Sequence, residues 1–266
     1  MPDHSSNQSS KRRKGGGNWQ KPAKGGIIES GDCGVFVTCD KGKEGKCIPE
    51  AVDLFTQSVE QSDIGEKDAD SAEDDDEDIE AQIRREVEGL KPSSSTPRQF
   101  RTFRMEFPCV FFVKFDKSID PEKLVHQLCV DAHNNPDQKR SRYIQRLSPI
   151  RSIRKTLSVD LEAFAAEILK PHFHSGGPPK KFAIRPVVRG NSKFNRDVLI
   201  KTIAQVVGPG HSVDLKNYDV LILVEVVQNL IGMSVMGADY DKLKRYNLAE
   251  LYKPSAKPEA SEPKEE

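Results

Sequence analysis

Long apolar runs are missing from this 266-residue chain: the longest, residues 220–227, is interrupted by Glu225 and falls far short of the roughly 18 residues that cross a bilayer. No membrane partner is expected. The first seventeen residues carry positive charge with no apolar stretch behind it, so a secretory signal is not expected and the chain is placed inside the cell. Cysteine is sparse. Cys33, Cys39, Cys47, Cys109 and Cys129 form no CxxC pair, which argues against a zinc ribbon and leaves free thiols as the expectation. Hydrophobic residues make up 36% and aromatics 7% of the chain, below the roughly 45–50% apolar content of ordinary domains. About two thirds of the chain is expected to fold, enough to bury a core without covalent staples.

The sequence also lacks the short motifs that carry chemistry. No GxGxxG follows a strand pattern, and no Walker A, GxSxG or HExxH occurs. The glycines at 15–17 and 25–26 fall in a basic, structureless stretch, and Gly176-Gly177 leads into Pro178-Pro179, a stiff connector. His172 and His174 flank Phe173 without a nearby carboxylate or cysteine, which is too little for a metal site. No catalytic residue, metal or cofactor is expected.

What the chain does have is polarised charge: 41 basic and 41 acidic residues cancel overall but are segregated. Residues 1–30 hold six Lys or Arg against two acids, including Lys11-Arg12-Arg13-Lys14, a tetrapeptide that suits nuclear import or a phosphate patch. Residues 61–80 hold eleven acids against Lys67. Such a block repels itself and stays solvated, either as a plain acidic loop or as a mimic that competes with RNA for a basic surface. Two later segments differ in kind. Residues 139–155 carry seven basic residues and no acid, and residues 180–201 carry seven against Asp197, both interleaved with apolar residues at secondary-structure spacing. Cations in that pattern are held on a folded surface, as in a nucleic-acid site; the plain alternative is a solvated charged face.

Apolar periodicity predicts a strand at 34–39, then a helix with Pro49 in its first turn. A break with a marginal amphipathic helix at 79–90 follows, then strands at 99–105 and 110–115. A helix capped by Asp120 precedes a strand at 142–150, and a helix capped by Ser158 or Asp160 and stopped by Pro171 precedes a strand at 181–189. Pro186 confines that last strand to an edge or a bulge. A helix capped by Asn195 and ending near Gly208 leads to final strands at 218–227 and 230–236. The order describes a mixed α/β or α+β chain.

The run Arg142-Tyr143-Ile144-Gln145-Arg146-Leu147-Ser148-Pro149-Ile150 resembles the start of a THUMP domain, a module of tRNA-modifying enzymes. Further segments agree in order: Val37-Thr38-Cys39 with Glu44 and Cys47, Asp120-Pro121-Glu122-Lys123-Leu124-Val125, residues 182–189 with Asn191 and Asn195-Arg196, Val213-Asp214-Leu215, Val224-Glu225-Val226 and Arg245-Tyr246-Asn247-Leu248. Together they resemble the eukaryotic THUMP-containing adaptors of tRNA cytidine acetylation. One departure is Ile153-Arg154, where relatives tend to have Thr-Cys. The resemblance implies a ferredoxin-like subdomain at 31–121, holding a disordered acidic loop at about 61–97, then a THUMP domain at 122–252, between disordered tails at 1–30 and 253–266. It implies a non-catalytic protein that presents serine and leucine tRNAs to a separate ATP- and acetyl-CoA-dependent RNA cytidine acetyltransferase, which forms N4-acetylcytidine in the D-arm. With the basic tetrapeptide and the acidic block, a place in the nucleus and first of all the nucleolus is expected, with the cytoplasm as the alternative. The RNA-contacting candidates are Arg142, Arg146, Lys181, Arg185, Arg189, Asn191, Lys193, Asn195 and Arg196, with Asn195 equally a plain helix cap and Tyr143 either a base-stacking or a packing residue. Competing readings are a nucleolar RNA-binding scaffold in ribosome assembly and an RNA-modifying enzyme in its own right.

Overall fold

The computed structural model describes residues 27–67 and 99–253. The basic tetrapeptide at 11–14, the acidic block from residue 68 onward, the expected helix at 79–90 and the C-terminal tail lie outside the described residues.

Two sheets form the frame. The first is built from β1 (Gly34–Cys39), α1 (Glu44–Lys67), β2 (Phe100–Arg104), β3 (Val110–Phe115), α2 (Pro121–Asn134) and β4 (Ile144–Ile150). Its strand order is β2-β3-β1-β4 with every neighbour antiparallel, the ferredoxin-like arrangement. Alternation in these strands sends Val35, Val37, Phe111, Val113, Phe115 and Leu147 towards Cys47, Ala51 and Phe55 of α1 and Leu124, Val125, Leu128 and Cys129 of α2. Asp120 caps α2, its Oδ1 accepting from the backbone N–H groups of Glu122 and Lys123, with Pro121 in the first turn. A cap of this kind contributes about 1 kcal/mol.

The second sheet comprises β5 (Ser152–Lys155), α3 (Leu161–Phe173), β6 (Lys181–Arg189), α4 (Arg196–Val207), β7 (Ser212–Val213), β8 (Val220–Val227) and β9 (Leu230–Gly237), in the order β5-β9-β8-β6-β7. β6 is parallel to β7 and β8, as the helical crossover α4 requires, and β8 and β9 form a hairpin. Helices α3 and α4 cover one face through Leu161, Phe164, Ile168, Leu199 and Ile203, against Ile222, Val224, Val226 and Met233. A 3-10 turn (Lys244–Tyr246) and α5 (Leu248–Leu251) close the chain against the first core.

The two sheets divide the chain at Arg151 and not at residue 121. β1 needs a second neighbour and takes β4, and the apolar face of α2 packs on the same sheet, so both belong to the ferredoxin-like unit. Two helix bounds also differ from expectation. α1 begins at Glu44, so Pro49 falls in its second turn, where the one bond it withholds is to the Gly45 carbonyl. Pro171 does not stop α3, which runs to Phe173 with the His174 N–H bonded to the Lys170 carbonyl. Pro186 sits as expected: β7 pairs only with Lys181 and Phe182, leaving the rest of β6 open on that side. All five cysteines are free thiols, and burial pushes the Cys39 thiol up to about 11.

The sheets meet where β4 crosses the inner face of the second sheet, the face away from α3 and α4. Gly232 makes this crossing possible: a Cβ there would lie 2.6 Å from Ile150 Cγ2. Ser234 Oγ donates to the Pro149 carbonyl at 2.6 Å, the Arg151 N–H donates to the Met233 carbonyl at 3.0 Å, and Glu122 Oε1 of α2 accepts from the Val235 N–H at 2.9 Å. Backbone and side-chain bonds therefore fix one sheet on the other.

Candidate nucleic-acid interface

Arg185 and Arg189 are four residues apart on β6, an even spacing that puts both on the inner face. Paired with Leu223 and Val227 of β8, they share that face with Glu225. Arg146 on β4 approaches from the other sheet, and its charge acts on both Glu225 and Tyr240. The fourth cation, Arg245, comes from the closing turn, where Lys244, Arg245 and Tyr246 all have left-handed backbone, with φ of 51°, 56° and 56°. That conformation costs each L-residue roughly 1–2 kcal/mol. It is held by Tyr246, fully buried edge-on to Tyr240 at 4.8 Å, and by Arg245 Nε donating to Asp241 Oδ1 at 2.9 Å.

Four guanidinium groups thus surround two carboxylates. Glu225 is completely buried; its Oε1 accepts from Ser148 Oγ at 2.8 Å and its Oε2 from Arg189 Nη1 at 2.6 Å. Burial pushes this carboxyl up, opposed by the charges of Arg189 and Arg146 and by both hydrogen bonds. Asp241 accepts from Arg185, from Tyr218 Oη at 2.8 Å and from Arg245. Burial pushes Asp241 up as well, but here the hydrogen bonds and charges win and its carboxyl lies below the usual range. Burial and the bond to Asp241 push the Tyr218 hydroxyl up to about 12. Arg146 differs from its neighbours: its Nε is buried without a partner. A buried donor left unpaired in this way costs about 1–3 kcal/mol.

The remaining candidates fall elsewhere. Arg142 is exposed just before β4, over the half-buried ring of Tyr143 at 5.8 Å, while its backbone N–H and that of Tyr143 bind Glu50. Asn191 shapes the loop after β6: its Nδ2 donates to the Gln228 carbonyl at 2.6 Å and its Oδ1 accepts from the N–H groups of Lys193 and Phe194. Lys193 Nζ is tied to the Thr156 carbonyl at 2.6 Å. Asn195 caps α4, accepting from the Val198 N–H, and Arg196 is exposed in the first turn of that helix. Lys181 lies at the opposite end of β6, with Nζ 3.5 Å from Asp214. The structure therefore unites Arg146, Arg185 and Arg189, places Asn191, Lys193, Asn195 and Arg196 together past the end of β6, and sets Lys181 apart.

Three charged members escape the sequence reading: Glu225 stands there as an acid interrupting an apolar run and within a matching segment, Arg245 only within a matching segment, and Asp241 not at all. Among the described residues no group of three or more His, Cys, Asp or Glu converges to hold a metal, and no helix is long and apolar enough to cross a membrane.

Residues 158–236 match the model of the THUMP domain. An uncharacterized protein of Schizosaccharomyces pombe is 35% identical over 85% of this chain and 78% of its own length. The tRNA acetyltransferase TAN1 of Saccharomyces cerevisiae is 32% identical over 85% of this chain and 87% of its own, and THUMP domain-containing protein 1 of Bos taurus is 33% identical over 85% and 65%. With the domain matched on the second sheet and the likeness running through both sheets, the chain belongs to the family of THUMP domain-containing proteins.

Proposed function

We propose that this chain is a non-catalytic tRNA-binding adaptor that presents serine and leucine tRNAs to a separate RNA cytidine acetyltransferase. The observation that carries the reading is the convergence of Arg146, Arg185, Arg189 and Arg245, drawn from both sheets, around Glu225, Asp241 and Tyr240. Rigidly held guanidinium groups bind phosphates and fix the register of a nucleic acid without reading much of its sequence. The likeness to a protein named tRNA acetyltransferase supports tRNA as the nucleic acid and acetylation as the reaction served. The site's side chains are guanidinium, hydroxyl and paired carboxylate, a set suited to holding RNA, so the acetyl transfer is assigned to a partner enzyme.

Mass spectrometry of nucleosides from purified serine and leucine tRNAs, with and without the gene, tests the reading. Loss of N4-acetylcytidine from both, with rRNA acetylation intact, is the expected result. Persistence in both refutes it. Acetyl transfer to tRNA by the purified chain alone, supplied with ATP and acetyl-CoA, would make the protein an enzyme instead.

A further inference from the structure

Burying a carboxylate in a sheet is costly, and Glu225 stands in the middle of β8 among Val224, Val226 and Val227. An apolar residue would fill that position at least as well for stability. The acid's two oxygens make separate connections. Oε1 reaches Ser148 on β4, in the ferredoxin-like unit, and Oε2 reaches Arg189 on β6, in the second sheet. Directly across the β8–β9 pair from Glu225 is Gly232, the residue on which Ile150 of β4 rests. The acid therefore sits where the sheets touch, with one oxygen on each.

We infer that Glu225 is a positioning residue for the RNA surface: it holds the Arg189 guanidinium at a fixed place relative to β4, so that Arg189 and Arg146 face one ligand as a pair of set spacing. The inference rests on the RNA-binding reading given above. An arginine on a strand without such a tie has several side-chain torsions to lose on meeting a phosphate, whereas Arg189, only 20% exposed and already bonded, has lost them on folding. Ser148 matters because it connects the same carboxylate to the strand that carries Arg146.

The positioning role and a merely electrostatic one predict opposite signs. Glu225→Gln keeps the shape, lets its amide oxygen accept from Arg189 and its amide N–H donate to Ser148, and raises the net charge by one. If Glu225 only subtracts charge from the site, the variant binds tRNA more tightly with a steeper salt dependence. Positioning predicts weaker binding despite the added charge, by about tenfold for one loosened charge-assisted contact, and a shallower slope of log K against log salt. The measurement is titration of the full chain with purified serine tRNA at several salt concentrations, with thermal melting to establish that the variant is folded. In an Arg189→Ala background Glu225→Gln should have no further effect on binding, since its action passes through Arg189. Ser148→Ala, which cuts the link on the other side and leaves the ion pair whole, should also weaken binding. Equal or tighter binding by folded Glu225→Gln, or unchanged binding by Ser148→Ala, overturns the inference while leaving tRNA binding by the wild-type chain in place. Failure of the wild-type chain to bind tRNA overturns the functional reading and this inference with it.

Discussion

Arg146 and Arg189 face the same surface but are held differently, so truncating each should separate binding from stability. Arg146 has a partnerless buried Nε, and its backbone is secured independently by Thr38. Arg146→Ala should leave the melting temperature within a few degrees of wild type. If the guanidinium meets one phosphate, log K should fall less steeply with log salt by about 1. With a slope of about 0.9 per contact, the loss is about fifteenfold in affinity at 0.05 M salt and about fivefold at 0.15 M. Arg189→Ala also strands Glu225, whose side chain is 2% exposed, and breaking a buried pair on one side costs about 3–5 kcal/mol. At roughly 2–4 °C per kcal/mol for a folded unit of this size, melting should drop by about 10 °C. The stranded carboxyl should take up a proton. With its folded pKa then raised further above the unfolded value, the variant should be most stable at acid pH and lose stability as pH rises through that folded value. Adding Glu225→Gln should restore most of the melting temperature and remove the pH dependence, but not the binding. The assays are tRNA titration at graded salt and thermal melting from pH 5 to 8. Equal fractional loss at all salt concentrations would refute the phosphate contact of Arg146, and wild-type melting of Arg189→Ala would refute the buried pair.

Three further outcomes follow from the geometry. Asp241 lies below its ordinary value because Tyr218, Arg245 and Arg185 outweigh burial, so the stability it adds is whole above its unfolded pKa of 3.8 and is lost as pH falls through the lower folded value; Asp241→Asn should flatten the acid side of a melting-temperature profile, and an unchanged profile would place the acid sensitivity elsewhere. Gly34→Ala would set a Cβ 2.1 Å from the Val113 carbonyl oxygen between two paired strands, which should destabilise the chain by about 3 kcal/mol or more in chemical denaturation; wild-type stability would mean that β1 and β3 can part there. His211 joins the end of α3 to the start of β6, accepting from the Lys180 N–H at its Nδ1 and donating from Nε2 to the Phe173 carbonyl, both at 3.0 Å; His211→Ala should cost about 1–3 kcal/mol by urea titration, with tRNA affinity of the folded protein unchanged.

Most of the elements were legible in the sequence because each is written locally. Asp120 before Pro121, Asn195 before an apolar periodicity and Gly208 after it mark helix ends through chemistry confined to one turn, and the near-continuous apolar runs at 218–227 and 230–236 mark two strands buried on both faces. The helix bounds at Pro49 and Pro171 were misread for a related reason. A proline withholds one hydrogen bond, and whether a helix continues past it depends on packing that the local sequence does not record.

Sequence alone determined that cations in residues 139–155 and 180–201 would stand on a folded surface, and resemblance in order along the chain pointed to the family. It did not determine which cations would meet. Arg146 and Arg189 are 43 positions apart, and their convergence depends on β4 joining the first sheet while crossing the second over Gly232, a contact between residues remote in sequence. The sorting of cations was likewise decided in three dimensions: Lys193 is spent on a loop carbonyl, Lys181 lies at the far end of its strand, and Arg245, from a strained turn, joins the cluster. Glu225 shows the division most directly. Its presence in an apolar strand is a fact of sequence, but its two partners come from different sheets, and only the packing of one on the other brings a serine and an arginine to the same carboxylate.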